Sequence, residues 1–462
     1  MKMNNYNNKI LLIAVIAIFT LFACDDAINV DPADEILESN AITSMEDLEL
    51  AVVGVYGTVP GIGNVSWNSR FTDELQITTD NNGQGVQVHT WSINSSTTEA
   101  EGLFDSYYLP INRANRVLSA ISGVPAGNLE EELLKERYRG ELLALRGWLH
   151  FKLLTFFSPS YSDANALAIP YINYSVVLEL PARNTVGEVL TSIGEDLSTA
   201  KSLLPITFNT NTFFTKDAVT ALQSRVALYS GDNTTAISLS TELIGSYPIS
   251  TIGDYASIWN DTSDTEVIFK LARVAGDGAI GQIFNPNSAL TYFVASDKLF
   301  NTYTDDDVRK FVFHIDGTKI NKYPAITPDI GLNHIKVFRV SEQYLIRAEA
   351  YAKSSVFDLA QADLNMLRSN RILSGGALTI TNITEAMDAV LNERYLEFAY
   401  EGHRYFDLKR TGSDINRDAT DCDILAADAC VLMNSDYRFT LPIPQSEIFV
   451  NSNMEQNPGY TN

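Results

Sequence analysis

Cysteine, histidine and positive charge are all scarce in this chain. Three cysteines, five histidines and 33 lysines and arginines stand against 57 aspartates and glutamates in 462 residues. The formal charge of −24 excludes a nucleic-acid partner, because reading phosphates needs a basic patch. It implies instead a soluble, self-repelling surface. His89, His150, His314, His334 and His403 have no metal-ligand spacing. Cys422 and Cys430, with no histidine beside them, do not make a zinc set. No G-x-S-x-G, H-E-x-x-H or P-loop occurs. With so many carboxylates, any glycosidase-style pair picked from sequence is arbitrary. Tyr303-Thr-Asp-Asp-Asp307 lacks the spacing and glycine of a calcium loop and reads as a solvated turn. No catalytic residue, metal or cofactor is therefore expected, and the chain does not read as an enzyme.

Long apolar runs are missing too. The run from Ile10 to Phe22, interrupted by Thr20, is too short to span a membrane. Lys2 and Lys9 precede it, and Leu21-Phe-Ala-Cys24 follows with the form of a lipobox. Residues 1–23 thus read as a lipoprotein signal peptide, with lipidated Cys24 as the first residue of the mature chain. An exported chain meets an oxidising compartment, so Cys422 and Cys430 are expected to pair, although two free thiols fit the sequence as well.

What is present is core. Hydrophobic residues make up 45% of the chain, enough for a large interior and too much for one small domain. Ser44-x-x-Asp47 and Thr185-x-x-Glu188 are capping boxes, predicting helices over Met45–Tyr56 and up to Leu204. Leu129–Phe157 carries the strongest helical stripe, with Trp148 on it as a core residue. Helical hairpins are predicted at Ala218–Ile244 and Val340–Ile372. Arg225-Val-Ala-Leu-Tyr229 echoes Arg347-Ala-Glu-Ala-Tyr351, and Arg146-Gly-Trp-Leu-His150 echoes both more weakly. Such hairpins resemble tetratricopeptide repeats, without a fixed period. Between Gly57 and Thr98 the pattern breaks into glycine, asparagine, serine and threonine, and only short strands are expected.

Near the C-terminus lies Glu393-Arg-Tyr-Leu-Glu-Phe-Ala-Tyr-Glu-Gly-His-Arg-Tyr-Phe-Asp-Leu-Lys-Arg-Thr-Gly412. Met387, Val390, Leu391, Arg394, Tyr395 and Phe398 share a helical face, and Gly402 is the expected stop. Arg394, Glu397, Glu401 and Arg404 are expected to pair and stack as a structural clamp. This stretch resembles the E-R-x-x-E-F-x-x-E-G-x-R-x-x-D-L-x-R signature of the SusD/RagB family. Leu441-Pro-Ile-Pro-Gln-Ser-Glu-Ile448 with Gln456-Asn-Pro-Gly-Tyr460 resembles the family's closing motif, and Asp25-Asp26 its surface-export signal.

The resemblance implies a mostly α fold: tetratricopeptide-like hairpins in a right-handed α-superhelix, with a loop-rich region and minor β-strands. Residues 24–245 and 246–462 would pack as one body. It implies an outer-membrane lipoprotein facing the cell exterior, which binds an oligosaccharide or polysaccharide for a SusC-like TonB-dependent transporter. A peptide-binding lipoprotein of the RagB type is the alternative, and a glycoside hydrolase the more distant one.

Sugar rings have apolar faces on which aromatic side chains stack, so a tryptophan in a polar loop fits the task. Trp67, in Asn64-Val-Ser-Trp-Asn-Ser-Arg70, is the first candidate. Arg70 and Asp73 would bind hydroxyls, or else pair with each other. Tyr292 and Phe284 come from a second loop, and Trp91 stands between site and core. Trp259 resembles a packing residue of the family.

Overall fold

The computed structural model describes residues 41–176, 178–422 and 429–461. The expected signal peptide and lipidated Cys24 lie outside the described residues. The longer elements run in order α1 (Met45–Tyr56), α2 (Ile62–Phe71), β1 (Leu75–Ile77), α3 (Thr98–Ala120), α4 (Leu129–Phe157), α5 (Val186–Leu203), α6 (Lys216–Ser230), α7 (Asn233–Ile244), β2 (Val267–Leu271), β3 (Phe293–Ala295), β4 (Ile335–Arg339), α8 (Val340–Lys353), α9 (Phe357–Ser369), α10 (Ile383–Glu397) and α11 (Arg404–Thr411). The fold is mostly helical. Strands among the described residues form only two-stranded antiparallel pairs, including β1 with β3 and β2 with β4.

Local chemistry sets the helix boundaries. Ser44 accepts from the Asp47 N–H, while the Asp47 carboxylate accepts from the Ser44 N–H, so α1 starts on a complete capping box. Thr185 and Glu188 do the same for α5. Gly231, at φ 87°, closes α6 in the left-handed conformation, and Asp232 then caps α7.

The arginine of each echoed segment is a clamp between helices. Arg146 on α4 grips Asp196 on α5 with two hydrogen bonds of 2.7 and 2.6 Å. Arg225 on α6 holds Glu342 on α8 at 2.6 Å, and Arg347 on α8 holds Asp363 on α9 at 2.8 and 2.6 Å. These forks fix successive helices at one rotation, which apolar stripes alone do not specify. Trp148 is core, as expected, at 3% exposed. Its ring meets Phe214 and Phe269 at 5.9 Å and Phe338 at 6.5 Å, so α4 shares one interior with β2 and β4.

The C-terminal stretch folds differently from its prediction at one point. Helix α10 ends at Glu397, not at Gly402. Residues 398–402 make a turn, with Tyr400 at φ 65° and Gly402 at φ 81°. A Cβ on Gly402 would lie 2.2 Å from the Asn64 amide, so only glycine fits there. The turn lets Glu397 and Glu401 face the same buried cations. Glu397 accepts from Arg339 (2.9 Å), Arg371 (3.0 Å) and Arg309 (3.3 Å). Glu401 accepts from Arg339 (2.7 Å) and Lys322 (2.8 Å). Glu266 completes the network through Arg371 and Arg339. Burial alone raises the Glu397 carboxyl, but the charges of Arg371 and Arg339 outweigh it and hold the group well below the usual carboxylate range. Asp307, expected in a solvated turn, is instead buried against Arg309 at 2.7 Å and caps the short helix Val308–Phe313.

Cys422 and Cys430 are joined by a disulfide, with Cα atoms 5.1 Å apart. The Cys430 carbonyl accepts from the Arg417 N–H, so the cross-link anchors the segment that carries Arg417.

Glu397→Ala removes the shared anion and leaves three buried guanidiniums short of a partner. The variant should lose about 3–5 kcal/mol of unfolding free energy in a denaturant titration. A loss below about 1 kcal/mol would rule out this network as the main internal constraint.

Candidate functional site

The polar segment after Gly57 is not an irregular loop: it holds the helix Ile62–Phe71, whose asparagines find partners inside the protein. Asn68 donates to the Asn64 carbonyl at 2.9 Å and accepts from the Tyr405 N–H at 3.1 Å. Asn64 donates to the Gly402 carbonyl at 3.4 Å. Helix α2 is therefore buried on polar and apolar faces alike, and shows no amphipathic stripe. Trp67 lies on it, 2% exposed, stacked on Phe71 with ring centroids 5.7 Å apart. It is a wall residue and not an open platform.

The wall belongs to a cleft of about 470 Å³. One side is the start of α2, with Gly61, Ile62, Gly63, Ser66, Trp67 and Arg70. The second is the start of α3, with Glu99, Gly102, Leu103 and Ser106. The loop after β2 closes it with Arg273, Asp277 and Gly278. Three donors in these walls have no protein acceptor: Trp67 Nε1, Arg70 Nε and Arg273 Nε. The Arg70 guanidinium lies over the Phe293 ring at 5.1 Å, held there by the β1–β3 pair. Glycines and an indole make a smooth apolar floor, and the unpaired donors offer directional contacts to oxygen. A second, more apolar groove of about 730 Å³ runs along the other side of α3, past Tyr108, Leu109, Leu180, Pro181, Val450 and Met454.

Of the residues expected at the site, Trp67 and Arg70 meet in this cleft, and the others do not line it. Asp73 is 1% exposed and pairs with neither Arg70 nor solvent. Arg404 grips it with two 2.8 Å bonds and Lys298 with a third. Burial pushes its carboxyl up, but those cations win and hold it well below the usual range. Trp91 is core: its Nε1 donates to the Phe71 carbonyl at 2.8 Å, and Arg417 covers its ring at 4.4 Å. Phe284 is buried edge-on to Tyr400 at 5.5 Å. Tyr292 is half-buried beside the core, and its carbonyl accepts from Thr78 and Asn81. Trp259 packs in the interior, between Tyr255 and Phe313.

Sequence reasoning missed Glu99, Arg273 and Asp277. Arg273 and Asp277 border the glycine- and asparagine-rich loop that begins at Ala275, and that texture was the available signal. Nothing in the helical pattern around Glu99 set it apart.

A family model described as "SusD family" matches residues 250–460, and one described as "Starch-binding associating with outer membrane" matches residues 34–228. The chain belongs to the SusD/RagB family. SusD-like protein P2 of Formosa agariphila is 21% identical over 96% of this chain and 98% of its own length. The starch-binding protein SusD of Bacteroides thetaiotaomicron is 34% identical, over 27% of this chain and 21% of its own. Among solved structures, a SusD superfamily protein of Bacteroides thetaiotaomicron superposes with a TM-score of 0.80 at 23% identity, covering 90% of this chain and all of the other. A putative sugar binding protein of Bacteroides vulgatus gives 0.78 at 24% identity, covering 91% and 100%. The SusD-like fold is thereby established.

Next to the low carboxyl of Asp73 sits a high one. Burial pushes the Glu74 carboxyl up to about 7, against the Ser69 hydroxyl and the Tyr400 N–H, which donates to it at 3.0 Å. A raised carboxyl contributes stability that is whole below the unfolded value of 4.5 and is lost as the pH climbs through about 7. Glu74→Gln, neutral throughout, should flatten that fall, by up to ~3 kcal/mol. Melting temperatures across this window measure it, and identical slopes in variant and wild type would exclude Glu74 as the source.

Proposed function

We propose that this SusD/RagB-family protein captures an oligosaccharide or polysaccharide at the outer face of the outer membrane. The observation that carries the reading is the position of the cleft. Its α2 and α3 walls lie within residues 34–228, the segment that matches the starch-binding family model. Ring stacking against Trp67 and hydrogen bonds from the unpaired donors are the two contacts a sugar needs: one to its apolar face, one to its oxygens. The protein acts as a binder and not as a catalyst. It hands its cargo to a partner TonB-dependent transporter, and a lipid on Cys24 holds it at the membrane.

Trp67 packs in the interior, so truncating it confounds binding with stability. Ser66→Trp, which fills the same wall from a half-buried position, is the cleaner probe. Applied to a glycan array, the mature protein should retain at least one saccharide family. Calorimetry should show Ser66→Trp weakening that ligand at least tenfold (about 1.4 kcal/mol) with an unchanged circular dichroism spectrum. Full affinity in the folded variant would move the site out of the cleft.

The anchor is tested separately. Cys24→Ala should leave the outer-membrane fraction and appear soluble. A variant that still sediments with the membrane would refute lipidation as the tether.

A further inference from the structure

Buried arginines of this protein find acceptors: most meet carboxylates, while Arg183 and Arg417 donate to carbonyls and, for Arg183, the Asn457 amide. Arg309, Arg339, Arg371, Arg404 and Arg410 each meet at least one carboxylate. The two arginines of the cleft break that pattern. Neither Arg70 nor Arg273 makes an ion pair with a described residue, and the Nε–H of each is buried without an acceptor. Burial drags both guanidiniums below their ordinary pKa, and the nearby charges of Glu99 and Asp277 offset this only in part. Asp277 is turned to its own loop, where its carboxylate accepts from the Val274 N–H at 2.9 Å.

The backbone adds to the same field. Helix α2, ten residues long, begins in the cleft wall, and its N-cap is Gly61, which has no side chain to occupy the first-turn N–H groups. Such a helix start favours negative charge. Trp67 Nε1, on a side chain 98% buried, is a further donor in that wall without an acceptor. The buried groups left without a partner in this cleft are all donors, and two of them sit on guanidiniums whose charge Glu99 and Asp277 offset only in part. A neutral hydroxyl satisfies the hydrogen bond but leaves the charge uncompensated. An oxyanion satisfies both.

We propose that the cleft selects a sugar residue that carries an oxyanion, a uronate carboxylate or a sulfate ester, held between Arg70 on α2 and Arg273 on the loop after β2. The inference rests on the glycan-binding reading and specifies its ligand class. Glu99 and Asp277 line the same space and repel a second charge, so one acidic sugar sits between the arginines while its neighbours are neutral or lie outside.

An array with neutral, uronate-containing and sulfated oligosaccharides separates the cases, followed by calorimetry with maltoheptaose, an oligogalacturonate and a sulfated carrageenan oligosaccharide. At least one acidic class should bind tenfold or more tighter than any neutral saccharide, and the two acidic arms tell carboxylate from sulfate. Arg273→Gln should weaken the acidic saccharide at least tenfold more than it weakens any neutral one, so that the preference disappears, with the melting temperature unchanged. Arg70→Gln should do the same, and Arg273→Gln stands alone if loss of the Phe293 contact destabilises the Arg70 variant. Neutral saccharides bound as tightly as acidic ones, or an acidic preference that survives in folded Arg273→Gln, would overturn oxyanion selection and leave glycan capture standing. A wild-type protein that retains no saccharide at all removes the glycan-binding reading, and the inference with it.

Discussion

Everything in this molecule depends on one buried carboxylate, that of Glu397, with three guanidiniums around it. A cation taken out of water costs several kcal/mol unless a partner of opposite charge and full hydrogen bonding replace the solvent. Arg309, Arg339 and Arg371 come from the short helix after Asp307, from β4 and from the turn that follows α9, and all three close on the same group. Asp307, Glu266, Glu393 and Glu401, with the Ser250 and Asn370 carbonyls, take the other donors. Greasy packing tolerates a small rotation or slide; this lattice of forks does not. It fixes the turn at 398–402, and that turn in turn fixes Gly402 against α2.

The cleft is the opposite case, and the contrast gives it meaning. The same chain that pairs Arg146, Arg225, Arg347 and Arg404 with carboxylates leaves Arg70 and Arg273 without one. Their neighbours are glycines whose missing side chains keep the space open: a Cβ on Gly278 would lie 2.8 Å from Ile62. In the interior, unmet donors would be a defect. In the wall of a cleft, on the function proposed above, they are held for a ligand.

How much of this was legible in the sequence follows from where each residue finds its partners. Capping boxes at Ser44 and Thr185 were readable because donor and acceptor lie three residues apart. The long stripe of α4 and the charged signature of α10 and α11 were readable for a similar reason, as local patterns. Helix α2 was not. Asn64 and Asn68 look like loop residues until Gly402 and Tyr405, more than 330 residues later, supply their hydrogen bonds. The same distance hid Asp73, whose partner is Arg404. Trp67 was singled out on the premise of an exposed loop, and burial of the whole helix overturns that premise. Gly402 was read as a helix stop, and it proves to be a contact point.

That long reach has a kinetic side. The wall that carries Trp67 and Arg70 leans on residues 402–417, through Asn64, Asn68, Asp73 and the carbonyls of Phe71 and Thr72 that receive Arg417. A contact that spans most of the chain forms late, because the loop it closes costs entropy until other structure has shortened it. The N-terminal part of the cleft is therefore synthesised first and shaped last. While the chain is still emerging, α2 can lean on α3 but lacks the partners that Asn64, Asn68 and Asp73 find in residues 402–405. Maturation of the cleft is in this way tied to completion of the chain: a copy cut short before the end of α10 lacks both the internal anion and the finished wall.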